Sequence, residues 1–351
     1  MKCFLFPALA LCAAAASLPA ASRADPATPY RVVKTAKVGG AGGFDYVFAD
    51  SVNRHLYIPR GNRVSVYDMD TLAAAGEVPK TNNVHGVAVD SVVDTGFSSS
   101  NPVVMWNAQT LETIKTIDVK GSPDAILFDP LTERVFVMSH QEPNVTVIDT
   151  KSGKILGTID LGAAPEQAVT DEQGRVYIDL EDKDQVAVVD ARSLKVTGRY
   201  GLDGKGGGPS GLAIDAQNQI LFVCCRDPQT CVILSAGDGH VLATLPIGAG
   251  VDGAVFNPTT NEAFSSQRDG TLTVIKEDSP TSFEVEQTVP TMAGAKTCAL
   301  DSKTDQLFLI TAEFAPPPEP SSQPQSTGEA PPRKSRGPVV PDSFTILVVG
   351  K

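Results

Sequence analysis

The strongest constraint on this chain is an internal repeat. Short runs of alternating or apolar residues ending in Asp or Asn recur along it. The first four are Val47-Phe48-Ala49-Asp50, Val87-Ala88-Val89-Asp90, Ile126-Leu127-Phe128-Asp129 and Ala168-Val169-Thr170-Asp171. Three more follow as Leu212-Ala213-Ile214-Asp215, Ala254-Val255-Phe256-Asn257 and Cys298-Ala299-Leu300-Asp301. Their last residues, 50, 90, 129, 171, 215, 257 and 301, stand 40, 39, 42, 44, 42 and 44 positions apart. Near-constant steps of this size mark stacked supersecondary units, each unable to bury its apolar face alone. The two-domain division that 351 residues would otherwise suggest is therefore not needed.

Within each unit the order of elements is constant. The closing Asp or Asn opens a turn, as in Asp129-Pro130-Leu131-Thr132 or Asn257-Pro258-Thr259-Thr260, whose residues favour type I geometry. A β-rich run follows, such as Leu56-Tyr57-Ile58, Val135-Phe136-Val137, Leu221-Phe222-Val223 or Leu307-Phe308-Leu309. Third and fourth runs come next, as in Val145-Thr146-Val147-Ile148-Asp149 and Ile155-Leu156-Gly157-Thr158-Ile159. Four short strands per unit, repeated seven times, predict an all-β fold, a seven-bladed β-propeller whose strands run outward from a central channel. The last unit supplies only three strands, the third at residues 344–349. Residues 31–38 match the fourth-strand pattern, so an N-terminal strand is expected to complete the last blade and close the ring.

On these features the chain resembles the secreted YVTN-repeat, YncE-like seven-bladed β-propellers, over residues 30–351. The matching elements are second strands of the Leu56-Tyr57-Ile58 and Val176-Tyr177-Ile178 type, the Val145–Asp149 run with Thr150, and the inter-blade link Gly162-Ala163-Ala164-Pro165. No copy carries a literal Tyr-Val-Thr-Asn, so the resemblance lies in the whole repeat. It implies a binding module rather than a defined chemistry.

Residues 1–24 read as a secretory signal. Lys2 precedes an apolar run at residues 4–18, and Ser22-Arg23-Ala24 offers a small-x-small cleavage site before Asp25. Leu11 before Cys12 argues against a lipid anchor. The mature protein, residues 25–351, is expected to be one propeller domain, periplasmic or secreted, without a transmembrane segment. Cleavage removes Lys2 and Arg23 from 29 basic residues, leaving 27 against 41 acids, or −14. That balance disfavours generic nucleic-acid binding and favours cationic ligands. Four cysteines remain, Cys224, Cys225, Cys231 and Cys298, either with one bridge from Cys224 or Cys225 to Cys231 or as buried apolar thiols. A segment at 315–342 holds nine prolines and almost no aliphatic residues, which predicts a disordered loop. Its Arg333-Lys334-Ser335-Arg336 patch makes it a candidate tether to a partner or wall polymer.

Motifs that carry chemistry are few. Gly248-Ala249-Gly250-Val251-Asp252-Gly253 has the GxGxxG spelling, yet a first strand and turn follow it instead of a helix, so these glycines are inter-blade turn residues. The more informative register lies five residues before each closing Asp or Asn. There stand Asp45, His85, Asp124, Glu166, Ser210, Asp252 and Lys296, polar positions in otherwise apolar strands. This register is expected at one mouth of the channel. Carboxylates alone suit calcium or magnesium, and with His85 they suit zinc, iron or manganese. Lys296 stands beside Asp45 around the ring and is placed to neutralise it. Loops between second and third strands open on the same face and supply Arg60, Asn62, His140, Glu142, Asp179, Glu181, Arg226, Gln267 and Arg268. Arg60, Arg226 and Arg268 are candidate grips for a carboxylate or phosphate.

The function expected from this reading is a secreted or periplasmic binding protein without identified catalysis. Its channel mouth and loops would take a small molecule, a metal ion or a partner such as a peptide or cell-wall polymer. The alternative is a metal-dependent hydrolase of lactonase type, with Asp124, Glu166 and His85 around a divalent cation. A quinone- or haem-associated propeller has little support, because the one tryptophan, Trp106, falls in a third strand.

Overall fold

The computed structural model describes residues 28–316 and 337–351. Among these residues there is no helix; 28 strands form seven four-stranded antiparallel sheets arranged around a central channel. The first strands pack beside one another around the whole ring, from Phe48–Asp50 through Pro123–Asp129 and Val251–Asn257 to Cys298–Asp301. The seventh sheet runs Arg31–Lys37, Thr345–Gly350, Gln306–Thr311, Cys298–Asp301. Its outer strand pairs Arg31 with Gly350 and Lys37 with Thr345, so the two ends of the chain close the ring.

Packing follows from the repeat. Seven residues after the closing Asp or Asn, or six in blade four, each second strand carries an aromatic ring. These are Tyr57, Phe97, Phe136, Tyr177, Phe222, Phe264 and Phe308, all at most 1% exposed. Each lies in a different apolar cluster, and each cluster fills the wedge between two neighbouring sheets. Burying one such ring contributes about 1.5–3 kcal/mol, so a single aromatic per wedge is a substantial part of blade-to-blade adhesion. The closing Asp serves the turn and the ring together. Asp129 accepts the amide of Thr132 at 3.2 Å on one oxygen and the hydroxyl of Thr170, in the next blade, at 2.6 Å on the other. Asp90 likewise accepts the Thr150 hydroxyl at 2.8 Å.

Two sequence readings resolve here. The four cysteines are free and buried, although Cys224 and Cys231 face each other across neighbouring strands. The Pro-rich segment is shorter at its base than the 315–342 loop expected. The Ala315 amide donates to the Pro338 carbonyl at 2.9 Å, the Val340 amide to that of Glu313 at 2.8 Å, and Phe314 bridges Val339. Val339 also packs against the apolar wedge between the first and last blades, which is why the flanks pair. The signal segment and the Arg333–Arg336 patch lie outside the described residues. No helix among those described is long and apolar enough to cross a membrane.

Candidate functional site at the channel mouth

Local backbone irregularity places the polar register. In four blades the first strand bulges there: Asp124 and Ala125 stand opposite the single Met138, and Glu166 and Gln167 opposite Asp179. Ser210 and Asp252 are likewise skipped by the pairing on either side of them. A bulge turns a side chain out of the pleat, so Asp124, Glu166 and Asp252 reach the channel mouth instead of an inter-blade wedge. They join Asp45, His85 and Lys296, and His140, Glu181, Arg226 and Arg268 from the loops, around a cavity of about 610 Å³.

The cavity has two halves. In one, three cations converge on Asp252. Arg268 Nη2 lies 2.9 Å from Asp252 Oδ2, while Lys296 Nζ and Arg226 Nη2 contact its two oxygens. Burial alone would raise Asp252, but Lys296, Arg268 and Arg226 hold it below the usual carboxylate range. Burial would also lower Lys296, and Asp252 and Asp45, the latter 2.6 Å away, hold its ammonium above its ordinary range. Arg226 further contacts Glu181 and lies 3.4 Å from Glu166 Oε1.

The other half is acidic and holds both histidines. His85 Nδ1 is 2.7 Å from Asp45 Oδ2 and 3.3 Å from Asp124 Oδ1; His140 Nε2 is 3.1 Å from Asp124 Oδ2. The hydrogen bond with Asp45, set against partial burial and reinforced by Asp124, raises His85. Burial, then the negative charge of Asp124 and Asp252, pushes Glu166 up to about 8, with Arg226 opposing.

Two of the expected residues are elsewhere. Ser210 is buried, its hydroxyl donating to the Gly208 carbonyl at 3.0 Å. Arg60 is buried over the Phe344 ring, 3.5 Å from its centroid, and donates to the Gly39 and Ala41 carbonyls, so it pins the segment after the closing strand. Of the other loop candidates, Asp179 and Gln267 are buried within second strands.

Two residues at the floor were not singled out in sequence. The position four before each closing residue is Gly86, Ala125, Gly211, Gly253 or Thr297 in five units, but Tyr46 and Gln167 in the others. Tyr46 donates to Glu166 Oε2 at 2.9 Å. Gln167 reaches across the ring, accepting the Leu212 and Ala254 amides at 3.0 Å and donating to the Ala254 carbonyl at 2.8 Å. Tyr46 lines both the polar mouth and an apolar channel of about 380 Å³ beneath it, where Phe48, Leu127, Val169 and Ile214 face inward. That break in a run of small residues was the signal in the sequence.

No protein-family profile matches this chain, and no curated protein matches it in sequence. Its likeness is to solved structures. A chain of the mitotic checkpoint complex superimposes with a TM-score of 0.70 at 12% identity, over 86% of this chain and 95% of that one. The WD40 repeats of RRP9 give 0.69 at 12%, over 92% and 97%. Hydrazine synthase of Kuenenia stuttgartiensis gives 0.66 at 15%, over 77% and 92%. At such identities the likeness speaks for the fold alone, and by it this chain is a WD40-like seven-bladed β-propeller.

Proposed function

We propose that this chain is a secreted or periplasmic binding protein of the YVTN-repeat kind that takes a small cation at the mouth of its channel. A WD40-like propeller supports a binding or scaffold role in general, and one observation narrows it. Around the cavity five carboxylates, Asp45, Asp124, Glu166, Glu181 and Asp252, face three fixed cations, Arg226, Arg268 and Lys296. The carboxyl groups outnumber the fixed cations five to three. Burial first, and then the negative charges of Asp124 and Asp252, displace Glu166 to about 8, and a bound cation relieves the part owed to those charges. Of the arginines expected to grip an anion, Arg60 is bound to backbone carbonyls, and Arg226 and Arg268 are engaged by carboxylates, apart from the outer part of Arg268.

The test is thermal shift and calorimetry with Mg²⁺, Ca²⁺, Mn²⁺, Zn²⁺ and putrescine, against citrate and phosphate. Cations are expected to stabilise the protein, by about 2.7 kcal/mol at a hundredfold excess over Kd. Asp124→Ala with Glu166→Ala should abolish the effect while the circular dichroism spectrum is kept. A response to anions alone, or one surviving the double substitution, overturns the reading. Lactone hydrolysis by metal-loaded protein that Glu166→Gln abolishes would replace it with the hydrolytic alternative.

A further inference from the structure

Asp124 divides its carboxylate between two histidines. Oδ1 faces His85 Nδ1 at 3.3 Å, and Oδ2 faces His140 Nε2 at 3.1 Å. Two donor sets therefore share this residue. Asp45, His85 and Asp124 form one, and Asp124, His140 and Glu166 the other, the ligand atoms of each lying within 4.8 Å of one another. A first-row ion bonded at about 2.0–2.2 Å to each donor spaces neighbouring donors about 3.0–3.4 Å apart. The histidine–carboxylate separations here are 2.7, 3.3 and 3.1 Å, and the other donors of each set lie within 4.8 Å. A carboxylate with one oxygen in each of two donor sets has the arrangement of a bridging ligand.

We propose that the mouth binds a pair of divalent first-row ions of the manganese, iron or zinc class, bridged by Asp124. Asp45 and His85 would hold one ion, His140 and Glu166 the other. This rests on the reading of the mouth as a cation site. One imidazole and two carboxylates per ion favour these metals over calcium and magnesium, which prefer all-oxygen sets. Bridged pairs of this kind stand about 3.5–4 Å apart. Three protein donors per ion leave positions open to water or a small anion, which also meets the charge a second dication adds. Two further residues position the ligands. Tyr46 holds Glu166 Oε2 at 2.9 Å, and the Asn83 side-chain amide is 3.2 Å from His85 Nε2. The atom set against Nε2 is Asn83 Nδ2, a donor. Metal binding through Nδ1 would require the amide turned over, so that its oxygen accepts Nε2–H and the Nδ1 lone pair is left for the metal.

The full chain, freed of metal by dialysis against EDTA, is titrated with Mn²⁺ and followed by calorimetry, elemental analysis after desalting, and electron paramagnetic resonance. Two ions per chain with an exchange-coupled spectrum are expected. Asp45→Asn and His140→Gln should each reduce the count to one and give the spectrum of an isolated ion. Asp124→Asn should lose the coupling and weaken both ions by about tenfold or more. His140 is exposed, so its substitution reports even where Asp124→Asn fails to fold. One ion per chain, or two without coupling, overturns the pair while leaving the cation-binding reading intact. Stabilisation by putrescine without any Mn²⁺ retention does the same. If neither cation acts, both fall.

Discussion

Glu166 shows what crowding carboxylates at a channel mouth costs. A glutamate in the unfolded chain titrates near about 4.3, whereas burial and the charges of Asp124 and Asp252 push Glu166 up to about 8 in the fold. Between those values the folded state holds a proton that the unfolded state has released, so stability falls as pH rises through the window. His85, raised chiefly by its hydrogen bond with Asp45, adds the same sign above about 6.5. Asp252 acts oppositely, since its depressed value withdraws stability only as pH falls below about 4. In metal-free protein the urea midpoint should therefore be higher at pH 5.5 than at pH 8. The ceiling of the Glu166 contribution is about 5 kcal/mol, at about 1.4 kcal/mol per unit. Glu166→Gln should flatten the slope; an unchanged slope would show that Glu166 ionises freely. Most residue identities were legible in the linear chain, because one register carries Asp45, His85, Asp124, Glu166, Asp252 and Lys296 and the loops after the second strands carry His140, Glu181, Arg226 and Arg268. Which of them meet was not, because Ser210 fits the register and Arg60 the loop pattern, yet both bond backbone carbonyls instead.

Strands and their bulges convert that register into a site. The first strands approach closely enough that a Cβ built on Gly211 would meet the Gly253 backbone at 3.1 Å and Val251 Cγ2 at 3.2 Å. Close approach of backbones lets Gln167 span two neighbouring strands and accept the Leu212 and Ala254 amides of first strands, which have a ladder partner on one side only. Gly211→Ala should therefore cost about 1–3 kcal/mol by overpacking. Equilibrium denaturation checks this, and a loss below about 0.5 kcal/mol would mean that the ring opens locally to admit the methyl. Periodic apolar residues and turn signals identified the strands well, since both are local properties. The bulges left no such mark, because a bulge is defined by the partner strand's register and not by the residues of one strand alone.

Across the whole molecule the ring is closed by pairing the beginning of the described chain with its end. Residues 31–37 cover Thr345–Gly350, whose side chains are buried throughout. Tyr30 adds a ring edge-on to Phe264 at 5.2 Å and a hydrogen bond to Glu262. A chain lacking residues 1–38 should expose an unpaired strand edge and self-associate, with a lower denaturation midpoint. Size-exclusion chromatography with urea unfolding decides this; a monomer with an unchanged midpoint would show that the ring does not depend on closure. By itself, the sequence determined the blade count, the closure and the polar register, because a constant period and a missing strand are facts of spacing. Only the tertiary structure decided that Arg226, Arg268 and Lys296 converge on Asp252 while Asp124 faces two histidines. Those contacts join residues 16 to 44 positions apart, some within one blade and some between blades, and their distances depend on where bulges and loops turn each side chain.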